Sequence, residues 1–309
     1  MNTLTIIAPV YNEANNISPF FVAVQDVMKN IANVEPNYIF VDDGSTDDTL
    51  SQIKNLRDST DVQISYVSFS RNFGKEAAMY AGLTKSTGDY VTLMDIDLQD
   101  PPELLIQMFA ELNDDVDVAV AVRESREGEP FIRSVFSKAF YALLNRLSTV
   151  QVVSGVRDFR LMKRKVVNAI VAMPETTRFS KGIFSWVGFP QKNVSYKYVQ
   201  RAKGKSKWSF WSLTKYAVEG IVDFSETPLL MVSGLGIVSF ALASLGGLLI
   251  ILRAMLFPDS AVFGWPSMVV LILAVSGIQL FSLGVVGRYI SSIFIEVKKR
   301  PVFIVREEG

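Results

Sequence analysis

The 309-residue chain balances 31 Lys and Arg against 31 Asp and Glu and contains neither Cys nor His. Zero net charge and a pI near 6.4 provide no chain-wide basic field for a nucleic-acid backbone, and the missing residues exclude thiolate nucleophiles, disulfides, Cys/His zinc sites and imidazole bases. Any chemistry must run on carboxylates, Arg, Lys, hydroxyls or an oxygen-liganded metal, and a mean hydropathy of +0.26 with 20% charged residues places a concentration of apolar residues somewhere along the chain.

In chain order, short β-branched runs at residues 4–10, 38–41, 63–69, 90–94 and 116–122 alternate with stretches of helical period at 17–31, 49–56, 75–83 and 102–112. The first 13 residues carry neither a basic region nor a cleavage site, so no signal peptide is expected. Pro101 and Pro102 suit the first turn of a helix, with Asp100 as its cap. The alternation predicts an α/β fold with a parallel, doubly wound sheet, whose ligand crevice lies beyond the carboxyl ends of the strands. No GxGxxG follows a strand, and Gly204-Lys205-Ser206 imitates the end of a Walker A loop but has Val199 where a glycine is required. Dehydrogenase and P-loop chemistries therefore fail.

Further along, residues 131–147 place Ile132, Val135, Phe136, Phe140, Leu143, Leu144 and Leu147 at helical spacing with Arg133, Lys138 and Arg146 between them. This is either an interfacial amphipathic helix or one that packs against the domain. Residues 227–252 and 260–287 contain no charge, and each run exceeds the roughly 20 residues that cross a hydrocarbon core of about 30 Å. Transmembrane helices are expected at about 228–252 and 265–288. Arg201, Lys203, Lys205, Lys207 and Lys215 precede the first and Lys298, Lys299 and Arg300 follow the second, whereas residues 257–264 between them carry only Asp259. The positive-inside rule puts both flanks in the cytoplasm, with Arg253 snorkelling to the headgroups. Trp208, Phe210 and Trp211 among these lysines have the composition of an interfacial anchor. The organisation expected is a cytoplasmic domain over 1–226, a two-helix hairpin over 227–295 and a basic tail over 296–309. Seven glycines in the two expected transmembrane helices, from Gly234 to Gly287, permit close helix approach, and a homo-oligomer is expected.

Two acidic clusters end strands at the expected crevice. Asp42-Asp43-Gly44-Ser45-Thr46-Asp47 follows the second, and Asp95-Ile96-Asp97-Leu98-Gln99-Asp100 follows the fourth. Carboxylates at i and i+2 past a strand can converge on a hard cation such as Mg²⁺ or Mn²⁺ that bridges to substrate phosphates. The first cluster also fits an ordinary Asp/Gly turn with a helix cap. The second needs a counter-charge to be packed at all.

Pro9-Val10-Tyr11-Asn12-Glu13, Val41-Asp42-Asp43-Gly44-Ser45, Ser70-Arg71-Asn72-Phe73-Gly74-Lys75-Glu76 and Asp95-Ile96-Asp97-Leu98-Gln99-Asp100-Pro101-Pro102-Glu103 together resemble the family 2 glycosyltransferases of GT-A fold. The resemblance is to their polyprenyl-phosphate branch, the bactoprenol glucosyltransferases and dolichyl-phosphate mannose synthases. It implies a GT-A Rossmann-like doubly wound sheet with amphipathic interfacial helices and a C-terminal transmembrane hairpin in the bacterial inner membrane. By position it assigns Pro9, Tyr11, Glu13, Val41 and Asp43 to the base and ribose of a UDP-sugar. Asp95, Ile96, Asp97 and Gln99 fall on the metal and diphosphate segment, with Asp95, Asp97 and Gln99 toward the ion. Arg123, Arg201 and Lys207 match phosphate-holding cations, and Arg133 and Ser137 resemble the acceptor-phosphate segment. Asp158 matches a third family Asp that faces the acceptor, as base, as positioning group or as a structural pair with Arg157 or Arg160.

The reaction so implied is inverting transfer of a hexose, glucose foremost, from UDP-sugar to undecaprenyl phosphate for surface glycan (O-antigen) modification. Mannose or an aminosugar is the alternative cargo. A processive polysaccharide synthase is disfavoured, because residues 176–186 lack Gln-x-x-Arg-Trp and two helices are few for a conduit. A non-catalytic nucleotide-binding scaffold would have no need of Asp95 and Asp97.

Overall fold

The computed structural model describes residues 1–123, 156–196, 225–256 and 264–309. The amphipathic run at 131–147, with Arg133 and Ser137, lies outside the described residues, as do Arg201, Lys207 and the Trp208/Trp211 cluster.

Among the described residues the core is one eight-stranded sheet. β1 (Asn2–Val10), β2 (Val34–Asp42), β3 (Ile64–Phe69) and β4 (Tyr90–Leu93) are its parallel heart, and β5 (Val118–Arg123), β6 (Val156–Lys163), β7 (Gln191–Tyr196) and β8 (Val305–Glu308) complete it. The spatial order is β7-β5-β6-β4-β1-β2-β3-β8. β1 pairs in parallel with both β2 and β4, so the winding reverses beside it. This is the switch point at which an open α/β sheet leaves a crevice.

Binary patterning explains the layers. Leu4, Ile6, Ala8 and Val10 of β1 pack on one side with α1 (Ile17–Met28), α2 (Thr49–Asp58) and α4 (Leu104–Glu111). Ile7 on the other side meets α3 (Lys75–Lys85), α5 (Arg164–Val171) and α6 (Ser180–Trp186). A strand covered on both faces reads as a continuous apolar run, which is why β1 is visible in the sequence. α3 comes especially close: a Cβ at Gly82 would sit 2.2 Å from Cγ2 of Ile7.

The strands expected at 4–10, 38–41, 63–69, 90–94 and 116–122 and the helices expected at 17–31, 49–56, 75–83 and 102–112 form, with instructive differences. β2 starts at Val34 rather than 38 because β1 pairs with it along its whole length, while β3 joins only from Tyr38. Pro36 therefore lies where no ladder bond to β3 is required. Asp100 is no helix cap. α4 begins at Leu104 after a turn through the two prolines, its N-cap Glu103 makes no side-chain capping bond, and Asp100 is buried elsewhere.

The segment expected as a basic tail carries β8, antiparallel to β3. Lys54 pairs with Glu307 and Lys85 with Glu308, each at 2.8 Å, and Phe303 stacks on Phe69 at 4.9 Å. Between sheet and tail run α7 (Thr227–Leu256) and α8 (Trp265–Val297), both long and apolar enough to cross a membrane. α8 continues past the expected 288 to Val297. At about 1.5 Å per residue it outruns a hydrocarbon core of about 30 Å, and its last turn reaches the sheet domain, where the Thr176 N–H donates to Glu296 Oε2 at 3.0 Å.

Gly82→Ala should lower the unfolding midpoint by the equivalent of about 1–3 kcal/mol, the cost of overpacking a filled core. Ala for Gly inside a helix otherwise gains up to about 1 kcal/mol, so the sign of the shift in detergent-solubilised protein reports the α3–β1 approach. Gly246→Ala, at a position where a Cβ meets nothing within 4 Å, is the control.

Candidate active site

The loops leaving β1 and β2 are zipped to each other. The Asn12 N–H donates to Ser45 Oγ, the Thr46 N–H to Asn12 Oδ1 and the Glu13 N–H to Thr49 Oγ1, each at 2.9 Å. Asn12 takes a left-handed φ of 54°, tolerable for Asn, and this turns Tyr11 outward at 38% exposure. Glu13 and Pro9 are half-buried beside it, whereas the side chain of Val41 is fully buried in the core and is not presented to a ligand.

The first acidic cluster is the turn it resembled. Asp42 accepts from the Ser45 N–H at 2.9 Å and from Ser68 Oγ–H at 2.7 Å, and Asp47 accepts from the Thr49 N–H at 3.0 Å. Asp43 accepts from the Phe73 N–H at 2.6 Å and the Gly74 N–H at 2.9 Å, and so moors the loop before α3. Burial pushes its carboxyl above the usual range in spite of these bonds. Gly44, at φ 67°, passes so near that loop that a Cβ would lie 2.5 Å from the Arg71 carbonyl carbon. Hence neither Asp42 nor Asp43 converges with its neighbour on a cation.

Asp95 and Asp97 follow β4 and are both half-buried. Asp97 accepts from the Gln99 N–H at 3.2 Å, across a turn in which Leu98 has φ 54° and Ile96 is buried. The counter-charge is Lys75, the first residue of α3. Its ammonium lies 2.7 Å from Asp95 and 2.7 Å from Asp158. Loss of water around the charge would depress that partly exposed ammonium, but the two carboxylates outweigh this and raise Lys75 above the usual lysine range. In turn Lys75 foremost, with Lys181 and Arg160, overcomes the burial penalty on Asp158 and holds it well below the usual carboxylate range.

The partner of Asp158 is thus Lys75, which the sequence motif contained without revealing its role. Arg157 instead binds Asp100 through Nε at 3.1 and 3.2 Å, and the Tyr196 hydroxyl donates to the same carboxylate. Arg160 is fully buried under Asp158. It lies over the Phe184 ring at 3.5 Å, donates to the Arg157 carbonyl at 3.2 Å and is pulled down to about 10 by burial. Glu76, raised by burial, accepts from the backbone N–H and the hydroxyl of Ser180. Arg123 ends β5 opposite Tyr196.

The structure therefore brings together Tyr11, Glu13 and Asp43 on one side of the switch point and Asp95, Asp97, Gln99 and Asp158 on the other. Among the described residues no three acidic side chains converge on one point. A divalent ion here would take two protein carboxylates and complete its oxygen shell from a diphosphate and water, which fits a hard cation that arrives with its substrate.

A family model described as Glycosyl transferase family 2 matches residues 5–171. The Escherichia coli (strain K12) prophage bactoprenol glucosyl transferase homolog is 38% identical over 303 residues, 98% of each chain. The SfII prophage-derived bactoprenol glucosyl transferase of Shigella flexneri is also 38% identical, covering 98% of this chain and 97% of its own. Among solved structures, a mannosyltransferase from Pyrobaculum calidifontis in complex with GDP-Man and Mn²⁺ superposes with a TM-score of 0.50 at 16% identity, over 96% of this chain and 88% of that one. The GT-A-like sheet with two apolar C-terminal helices, expected from the sequence motifs, is the fold observed.

Asp100→Ala should leave Arg157 and Tyr196 without their shared acceptor. A loss of about 2–3 kcal/mol is expected, since a buried pair broken on one side costs more than the pair contributes; chemical denaturation of the detergent-solubilised protein measures it.

Proposed function

The chain belongs to glycosyl transferase family 2, and from that premise we propose that it moves a hexose, glucose foremost, from a UDP-sugar to undecaprenyl phosphate at the cytoplasmic face of a bacterial inner membrane. The observation that carries this reading is that a carboxylate-lined sheet crevice and two membrane-length helices lie in one chain, 98% of which aligns with proteins named bactoprenol glucosyl transferase. The product is a β-linked polyprenyl-phosphate sugar. The basic flanks at 201–207 and 298–300 support the cytoplasmic orientation.

In this reading Tyr11 receives the uracil ring, and Glu13 and Asp43 accept from the base or ribose. Asp43 already spends lone pairs on the Phe73 and Gly74 N–H groups, which orients the remainder. Asp95 and Asp97 hold Mg²⁺ or Mn²⁺, with Gln99 fixing the Asp97 carboxylate through its N–H. Bound there, the cation offsets the charge that develops on the departing diphosphate. Arg123, with Arg201 and Lys207, neutralises phosphate oxygens. Arg133 and Ser137 receive the acceptor phosphate.

That phosphate is a monoester with a second pKa of about 6 and attacks as an anion without a strong base. Asp158 is accordingly a positioning group: with Lys75 on it, its carboxylate is ionised but a poor proton acceptor. Seven glycines of α7 and α8 have open space where a Cβ would stand, which supports association of copies in the membrane.

The test uses purified protein in detergent with undecaprenyl phosphate, Mg²⁺ or Mn²⁺ and radiolabelled UDP- and GDP-sugars. Label extracted into organic solvent from UDP-glucose is expected; label retained in aqueous polymer, or none from any donor, overturns the proposal. Asp97→Ala should reduce transfer at least about a hundredfold, the scale of losing a transition-state charge stabiliser, while the circular dichroism spectrum is retained. Unchanged turnover at saturating metal would remove Asp97 from the ion site.

A further inference from the structure

β4 and β6 are antiparallel, with Leu93 opposite Arg160. Carried two residues onward past the end of β4 and two residues back along β6, that register sets Asp95 across from Asp158. Like charges directly opposite each other across a strand pair repel, and the fold supplies the Lys75 ammonium between them, 2.7 Å from each. The backbone that delivers Lys75 is fixed, because the two preceding N–H groups are bonded to Asp43. The side chain is not: it is 39% exposed, on a flexible stem that carries one compact charge. Arg157, by contrast, is committed to the 5%-exposed carboxylate of Asp100.

The geometry points to Lys75 as a positioning residue that occupies the place of positive charge in the ligand-free enzyme. It releases Asp95 when a divalent cation and a diphosphate arrive, and it retains Asp158 through turnover. The inference rests on the reading of Asp95 and Asp97 as cation ligands. It makes Lys75 a competitor of the cation in the free enzyme and a support for the acceptor side of the site during transfer. Removing the ammonium should therefore act in opposite directions on two measurements, which a merely structural role would not do.

The experiment is titration of the full-length protein in detergent with Mn²⁺, without nucleotide, followed by the electron paramagnetic resonance signal of the free ion. Lys75→Gln is expected to bind Mn²⁺ about five- to tenfold more tightly than wild type, the scale of removing one unit charge a few ångströms from a partly solvated carboxylate. Its kcat for transfer should fall at least about tenfold, with the KM for the sugar nucleotide changed by no more than about twofold. Asp158→Asn leaves the ammonium to Asp95 alone and should weaken Mn²⁺ binding about threefold. The double variant should lose that weakening, because the effect passes through Lys75.

Equal Mn²⁺ affinity in Lys75→Gln and wild type, with binding lost in Asp97→Ala, overturns the role of Lys75 and leaves the ion site standing. Asp97→Ala that binds Mn²⁺ as wild type does overturns the ion site, and the inference with it. Should Lys75→Gln fail to fold, Asp158→Asn against wild type decides alone, and unchanged or tighter Mn²⁺ binding there overturns the inference.

Discussion

Carboxylates gathered at one end of a sheet repel one another and resist desolvation, and the local structure of this protein is arranged around that constraint. Asp43 is held by two backbone N–H groups, Asp100 by a guanidinium and a phenol, and Asp95 and Asp158 share one ammonium. These solutions differ in how easily they are undone. Backbone N–H groups move only if a loop moves, so Asp43 fixes the loop ahead of α3. A planar guanidinium on a buried carboxylate is equally permanent, and Asp100 serves to join β6 and β7 to the turn before α4. On the proposed role of Lys75, the labile solution stands at the place where a substrate would enter.

The tail after the second apolar helix belongs to the same arrangement. The Ser70 N–H donates to the Ile304 carbonyl at 3.0 Å, Phe303 stacks on Phe69, and Phe69 meets Phe73 edge-on at 5.8 Å. Phe73 is the residue whose N–H Asp43 accepts. The segment that leaves the apolar helix thus braces the loop that holds both Asp43 and Lys75, and it also covers what would be the bare edge of β3. Its two ion pairs are half-exposed and contribute little by themselves. The ring stack, packed against the core and against Tyr80, is the stronger tie.

What could be read from the sequence follows from which elements are buried on both sides. β1 to β5 stand out as apolar runs because helices cover both faces of the sheet around them. β6 does not, since Arg157, Asp158 and Arg160 interrupt its pattern, and each of those side chains meets a partner distant in the chain: Asp100, Lys75 and the Phe184 ring. β8 is four residues of Val-Arg-Glu-Glu, which reads as a polar tail until Lys54 and Lys85 are seen beside it. The same logic applies to the site. Asp95 and Asp97 are close in sequence and were legible; the need for a counter-charge was legible too, but not its identity, because the Asp95–Asp158 juxtaposition arises from an antiparallel register that no local spacing reveals.

The absence of imidazole narrows the chemistry without impoverishing it. A phosphate that attacks as an anion requires no proton to be removed, and a diphosphate that departs with its charge offset requires none to be delivered. On the proposed reaction, what remains is to place two anionic groups, acceptor and leaving group, at opposite sides of one sugar carbon while keeping them from repelling each other out of the site. That is a problem of positive charge and its position, and a sheet end furnished with Asp95, Asp97, Lys75 and Arg123 has the side chains to address it. Proton-transfer catalysis by a histidine would add a titration near neutral pH and nothing that this displacement needs.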